Sequence, residues 1–483
     1  MTFWTLCALG LCLAGARADD NRLPGAGLAA EDPTCERLEE DVARADRHTV
    51  ARDPPRLAGT WVSEGCETRP GPEYVLRSYT FYRNHSFRLL LARYQGEWCA
   101  SPQHTLAARG RLRLRGRSWL VPGALEAEYE LRRVTVTAHS EAAAADLARR
   151  LNATCPGSAR RRWRPHREYL VLAGGGARPP HRDNTLQGRL QRQEEEEIDC
   201  LSALNTVFHE LQLLRVHIRP AGPPDYRHPR HELLLGDMHS RPEMGGQYRP
   251  TAFQVPLLKA DQAQWCAVCQ AVARAGETAP PHLHARPRLP VLRSYLAGDW
   301  VSSRCETRPL GTFLRRRLRL GSGPAWRGEY RFFADPACAL PVFSAVATGS
   351  YAPLADSLFE FRVERVSLAV LDPGAARALR CGGDLTPAGG CPALGLVVPS
   401  VEYETVRIDV DPQGASLLLV GQPDTDGRRR GPGDGATAYQ LPLVQCRPQQ
   451  DNQLYPVPLR MSGGGQLAGA SLAWLLALCW LLL

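Results

Sequence analysis

Residues 59–70 read GTWVSEGCETRP, and residues 298–309 read GDWVSSRCETRP. Nine of the twelve positions are identical, among them a tryptophan and a cysteine, which rarely match by chance. The offset of 239 then runs without a gap from Trp61/Trp300 through Cys66/Cys305 to Cys99/Cys338. Further matches keep the same order: Val134–Ser140 with Val366–Asp372, Leu213–Val216 with Thr405–Ile408, and Thr251–Leu257 with Thr437–Leu443. An ordered series of this kind means a duplicated unit. The length of 483 residues also exceeds what one hydrophobic core holds, so two domains are expected.

Inside each copy the hydrophobic period is mostly two. Tyr79, Phe81, Phe87, Leu89 and Leu91 occupy odd positions around a turn at Arg83-Asn84. Leu112 and Leu114 alternate with arginines, Leu125, Tyr129 and Leu131 with Glu126, Glu128 and Glu130, and Phe359, Phe361 and Val363 with Glu360 and Arg362. Such alternation marks antiparallel strands with one buried and one wet face. Many glycines and prolines (43 and 39) favour frequent turns over long helices. The fold class is therefore mainly β: two tandem homologous antiparallel β-barrel-like domains, disulfide-stabilised, with short helices. Ser140 and Asp372 are N-cap residues for a short helix in each copy, and Cys35 and Cys269 each open a helix ahead of the tryptophan motif.

The ends of the chain carry addresses. Residues 1–18 have an apolar stretch and close on Ala16-Arg17-Ala18, a signal-peptide pattern. Leu467–Leu483 is apolar and uncharged, behind the small-residue run 462–465. It suits either a glycolipid-anchor signal or a single-pass membrane segment. The expected organisation is a signal peptide at 1–18, a first repeat domain at 31–266 with a flexible loop at 158–197, a second at 267–446, a stalk at 447–466 and an anchor at 467–483.

A secretory route makes disulfides the default. Removing Cys7, Cys12 and Cys479 leaves Cys35, Cys66, Cys99, Cys155, Cys200 and Cys266 in the first copy, and Cys269, Cys305, Cys338, Cys381, Cys391 and Cys446 in the second. Six against six in the same order predicts three bridges within each copy, with one shared connectivity and no partners assigned. On this reading Cys266 and Cys269 are the last cysteine of one domain beside the first of the next, not a redox or zinc pair. Asn84 and Asn152 head N-glycosylation sequons.

Motifs for catalysis are few. His209-Glu210 and His231-Glu232 begin like HExxH, but positions 213 and 235 are leucine. No GxSxG or phosphate-binding loop occurs, and Glu194–Glu197 is a solvated charge run. Neither an enzyme, a cofactor, a metal site nor a nucleic-acid partner is expected. The net charge of +9 comes almost wholly from arginine, since Lys259 is the only lysine. A basic surface could serve an adhesion or glycan-binding module, or be ordinary mixed-charge solvation with one local patch at 160–167.

Gly-x-Trp at the entry to a first strand resembles the opening of lipocalin-type barrels, where the indole plugs one end. Trp61 and Trp300 are equally compatible with plain core anchors. The stretches WVSEGCETRPGPEYVLRSYTFYRN (61–84), RGRLRLRGRSWLVPGALEAEYEL (109–131), HELQLLRV (209–216), ELLLGDMH (232–239), YRPTAFQVPL (248–257), WVSSRCETRP (300–309) and TAYQLPLVQC (437–446) carry a wider resemblance. Through them the chain resembles the adenomatosis polyposis coli down-regulated family of membrane-anchored Wnt antagonists. That resemblance implies two similar barrel-like domains and extracellular inhibition of Wnt signalling. It also implies acylated Wnt ligands and Wnt co-receptors as partners, with the lipid held in an apolar barrel interior, and a membrane-spanning C-terminal segment.

Within the first copy, Tyr79, Phe81, Phe87, Leu89 and Leu91 are the candidate lipid-pocket residues. Their counterparts Leu318, Leu320, Trp326, Gly328 and Tyr330 are less uniformly apolar. The competing reading of the same stripe is a closed core.

Overall fold

The computed structural model describes residues 33–52, 54–156, 162–174, 198–223, 227–284, 291–374, 383–385, 390–391, 396–411, 414–428 and 430–447. The expected signal peptide, nearly all of the stalk, the anchor, much of the 158–197 loop and Cys381 lie outside them.

The first copy forms a sheet that closes on itself through β1 (Gly59–Val62), β2 (Glu73–Phe81), β3 (Ser86–Tyr94), β4 (Pro102–Arg117), β5 (Leu125–Ala138), β6 (Leu213–Arg219), β7 (Arg230–Leu235) and β8 (Leu257–Lys259). Each strand pairs antiparallel with the next, and β8 returns to β1, with Lys259 opposite Trp61. The second copy closes the same ring with β9 (Gly298–Ser302), β10 (Thr312–Leu320), β11 (Ala325–Phe333), β12 (Pro341–Pro353), β13 (Leu358–Val370), β14 (Val401–Val410), β15 (Ser416–Val420) and β16 (Leu443–Gln445). The registers coincide: Trp61 faces Tyr79 as Trp300 faces Leu318, at the same offset. Eight strands make a barrel whose interior just fits side chains or one small ligand.

Alternation decides which side chains enter the lumen. Val75, Tyr79 and Phe81 of β2 join the inner cluster of the first barrel, while Leu76, between them, faces outward into a second cluster. The loop expected at 158–197 is not all loop. Glu168–Ala173 forms a strand on β5, where buried Val171 and Leu172 give it an apolar footing. Helix α2 (Glu141–Thr154) is capped as expected: Ser140 Oγ accepts from the Ala143 N–H at 3.1 Å.

The helices ahead of each tryptophan motif are exchanged. Helix α1 (Pro33–Arg47) precedes the first barrel but packs on β9 of the second. Helix α3 (Ala267–Ala273) precedes the second barrel but packs on β1 and β2 of the first. There Cys269 and Val272 are buried with Val62, Leu76 and Tyr94. Connectivity explains the exchange: β8 ends at Lys259 and α3 begins at Ala267, so the helix is tethered beside the barrel just completed.

The disulfides follow the helices, which corrects the expectation of three bridges confined to each copy. Cys66–Cys99 and Cys305–Cys338 are equivalent, each spanning 33 residues. Cys155 pairs with Cys200, and Cys391 is also disulfide-bonded. The remaining bridges cross the copies: Cys35–Cys446 and Cys266–Cys269. In both barrels the cysteine after the last strand joins the cysteine of the packed helix. The connectivity is thus shared, but each helix is the one numbered with the other copy. Among the described residues no helix is long and apolar enough to cross a membrane.

Candidate functional site

The duplicated twelve residues build one end-to-end device in each barrel. Gly59 and Gly298 take φ of +118° and +132°, a region open to glycine. Trp61 and Trp300 then enter the lumen, each donating its indole N–H to the carbonyl of Leu57 or Leu296, at 2.7 and 2.8 Å. Two residues on, the Ser63 and Ser302 hydroxyls donate to Glu67 and Glu306, and accept from the backbone N–H of Arg77 and Arg316 at 2.7 Å each. The arginines return to the same glutamates: Arg77 Nη2 donates to Glu67 at 2.7 Å and Arg316 Nε to Glu306 at 2.8 Å. Gln254 and Gln440 close the ring by donating to the carbonyls of Gly236 and Gly421. The motif is written twice because it seals one end of two barrels with buried, mutually satisfied charge.

The first seal is the tighter. Glu210 accepts from Arg69 and Tyr79 at 2.5 Å each and from Gln254 at 2.8 Å. Burial pushes the Glu210 carboxyl up, but Arg69 and Arg77 with the two neutral donors outweigh it and hold it below its ordinary range. Burial and Glu210 together raise the Tyr79 phenol, so it stays a donor. In the second barrel Leu318 stands in place of Tyr79, and Arg308 turns to Gln440 at 2.8 Å. Among the described residues, Glu404 Oε2 there is buried without a hydrogen-bond partner. Burial, then Glu402, pushes its carboxyl up to about 8.

Both glutamates of the incomplete HExxH stretches are thus structural. Glu210 holds the seal, and Glu232 accepts a bidentate contact from Arg304 of the second barrel, at 2.8 and 2.9 Å. Sequence reading had no signal for these partners, because they lie 44 to 141 residues away. The repeated Ser-x-x-x-Glu-x-Arg was the available hint, since charged residues kept in both copies are costly unless paired.

The five stripe residues do converge. Tyr79, Phe81, Phe87, Leu89 and Leu91 all face the lumen of the first barrel, at most 4% exposed. Tyr79 and Phe81 stack at 5.7 Å, and Phe87 tilts against both. They form closed packing with Leu106, Val134, Leu214 and Leu235. The second lumen is lined differently at matching positions. Leu89, Leu106 and Leu235 are replaced by Gly328, Ala345 and Val420. Tyr330, Phe361 and Val420 point inward yet stay half-buried, beside an aromatic wall of Trp326 and Tyr351 around Phe361. The sequon residues Asn84 and Asn152 are exposed, in the β2–β3 turn and on α2.

Residues 34–284 and 289–411 match the family described as adenomatosis polyposis coli down-regulated 1. The chain belongs to this family. Within the adenomatosis polyposis coli down-regulated 1 match fall α1, the whole first barrel, α3 and the second barrel through β14. Both seals' Glu–Arg pairs and the exchanged helices are therefore within the family region. Membership is consistent with a Wnt-related extracellular role.

Proposed function

We propose that the chain is a cell-surface binding protein that inhibits Wnt signalling by taking the Wnt acyl chain into the lumen of the second barrel. The observation that carries this reading is the half-buried state of Tyr330, Phe361 and Val420 inside a closed ring of strands. Leu91 and Leu235, the first-barrel counterparts of Tyr330 and Val420, are fully buried, whereas Phe361 and its counterpart Tyr129 are both half-buried. Residual exposure at Tyr330 and Val420, where the first barrel is filled, supports room beside the aromatic and aliphatic carbon of the second lumen. Burying ten methylenes there is worth about 8 kcal/mol, set against the ordering costs of association. On this reading the aromatic stripe of the first barrel is closed core and the second lumen is the acyl chamber. Co-receptors and a C-terminal tether at 467–483 complete the proposal.

The test uses an acylated Wnt peptide, its unacylated twin and a Wnt reporter in cells expressing the chain. Ala347→Trp fills the second lumen from β12 and is expected to weaken the acylated peptide at least tenfold and relieve reporter inhibition, with melting retained. Undiminished binding in a folded Ala347→Trp chain would sink the second-barrel assignment. A reporter indifferent to the parent chain would sink inhibition itself. Binding that ignores the acyl group but collapses with salt would favour the glycan-binding alternative. On the same cells, release by a phosphatidylinositol-specific phospholipase marks a glycolipid tether, and retention a spanning helix.

A further inference from the structure

The first barrel has an open end opposite its seal. Along β7, Leu235 and Leu233 are buried in the lumen, and His231, two residues further, reaches the mouth. A cavity of about 150 Å³ sits there, floored by Trp61, Val216 and Ile218. Its rim is cationic. Lys259 stands opposite Trp61 in register, with Nζ 5.8 Å from the indole ring centre. Arg52 is brought in by its backbone N–H, which donates to Val216 O at 3.1 Å, and Arg56 follows on the same segment.

Three features bear on what this rim can hold. First, among the described residues Arg52, Arg56 and Lys259 make no ion pair, whereas Arg69, Arg77, Arg230, Arg304 and Arg316 are each matched by a carboxylate. Secondly, the field is strong enough to act on a neighbour: burial, then Lys259 and Arg52, lowers the His231 imidazole, against weak opposition from Asp261. Thirdly, the duplication supplies a control. The positions matching Arg52, Arg56, Lys259 and His231 in the second copy are Val291, Tyr295, Gln445 and Ser416, and Val291 and Tyr295 pack onto the core of that barrel. A rim that served only to close a barrel would not need the charge, since the second barrel closes without it.

We infer that the mouth of the first barrel binds a small amphiphilic anion, an aliphatic chain ending in one anionic group. The apolar floor takes the carbon, and Arg52, Arg56 and Lys259 take the charge. Trp61, Val216 and Ile218 offer that floor to a short aliphatic chain. Trp61 supplies a flat aromatic contact for the chain, and its N–H is already spent on Leu57. The ligand therefore gains its polar contacts from the rim alone.

Lys259 being the only lysine makes a site-specific test available in the full chain. Reductive ¹³C-dimethylation keeps its charge and gives one lysine NMR signal, which a ligand in the second barrel does not touch. Hexanoate and hexyl phosphate, two sources of the same chemistry, are each titrated against hexanol and inorganic phosphate. The expected result is a saturable shift of the Lys259 signal with one or both amphiphiles, at least tenfold tighter than with hexanol or inorganic phosphate. Whichever amphiphile binds more tightly identifies the headgroup. Arg52→Val/Arg56→Tyr, which copies the second barrel, is expected to weaken binding at least tenfold; Arg56→Gln, an exposed change, serves if the double variant melts early. A signal unmoved by both amphiphiles overturns the inference. So does hexanol or inorganic phosphate matching them, or full affinity in the folded arginine variants.

Discussion

Glu404 and Glu232 are both withdrawn from water, and their surroundings send them in opposite directions. Burial and Glu402 raise Glu404 to about 8, so its carboxyl is protonated in the folded chain near neutral pH while the unfolded chain's is ionised. Between the ordinary glutamate range and about 8, the folded state then holds more protons, and stability falls as pH rises. Glu404→Gln should remove that slope and raise stability at pH 7.5 by on the order of 4 kcal/mol. Chemical denaturation from pH 5 to 8.5 checks this, and a variant whose profile parallels the parent's would refute it. Glu232 behaves in reverse. Burial raises it, but Arg304 and His217 hold it well below the ordinary range. Its contribution is present above the unfolded pKa and is lost as pH falls beneath it.

At the scale of elements, the exchanged helices give the two bridges that cross the copies unequal weight. Cys35 and Cys446 are 411 residues apart, Cys266 and Cys269 only 3. Chain-entropy reasoning assigns up to about 5 kcal/mol to closing the long loop and about 2 kcal/mol to the short one, less what inner bridges already remove. Cys35→Ser/Cys446→Ser should therefore lower the melting temperature more than Cys266→Ser/Cys269→Ser. Amide exchange should rise in α1, whose Cys35, Val42 and Ala45 face is held on the second barrel. Equal losses from the two pairs, or unchanged protection of α1, would count against a stapling role.

At the scale of the whole molecule, the barrels meet through charge. Arg304 grips Glu232 across the contact, and Asp46 of α1, held on the second barrel by the Cys305 N–H and Arg315 at 2.9 Å each, accepts from Arg219 of the first at 3.4 Å. Ser240 and Thr425 add a reciprocal pair, backbone N–H to hydroxyl in each direction. Breaking a buried pair from one side leaves the other charge stranded, at a cost of roughly 3–5 kcal/mol. Arg304→Met should destabilise the chain by that order and split its calorimetric unfolding from one transition into two, one per barrel. A single unshifted transition would show that the contact contributes nothing to cooperativity.

The sequence by itself determined the local and the repeated. Period-two stretches such as 79–91 became strands, Ser140 capped its helix, and the matched series from Trp61/Trp300 onward became two barrels in one register, because alternation and turns act between near neighbours. It also brought Tyr79, Phe81, Phe87, Leu89 and Leu91 to one lumen. What it left open was set by groups far apart in the chain. Whether that lumen is full depends on Leu106, Val134 and Leu235 arriving from other strands, and the second differs through Gly328, Ala345 and Val420. Which helix covers which barrel was decided by the seven residues between β8 and α3 and by the free reach of α1, and the crossed disulfides followed. The cations Arg52, Arg56 and Lys259 stand out only once the fold brings them to one cavity. Charge pairing and void filling are sums over partners that a linear pattern does not name.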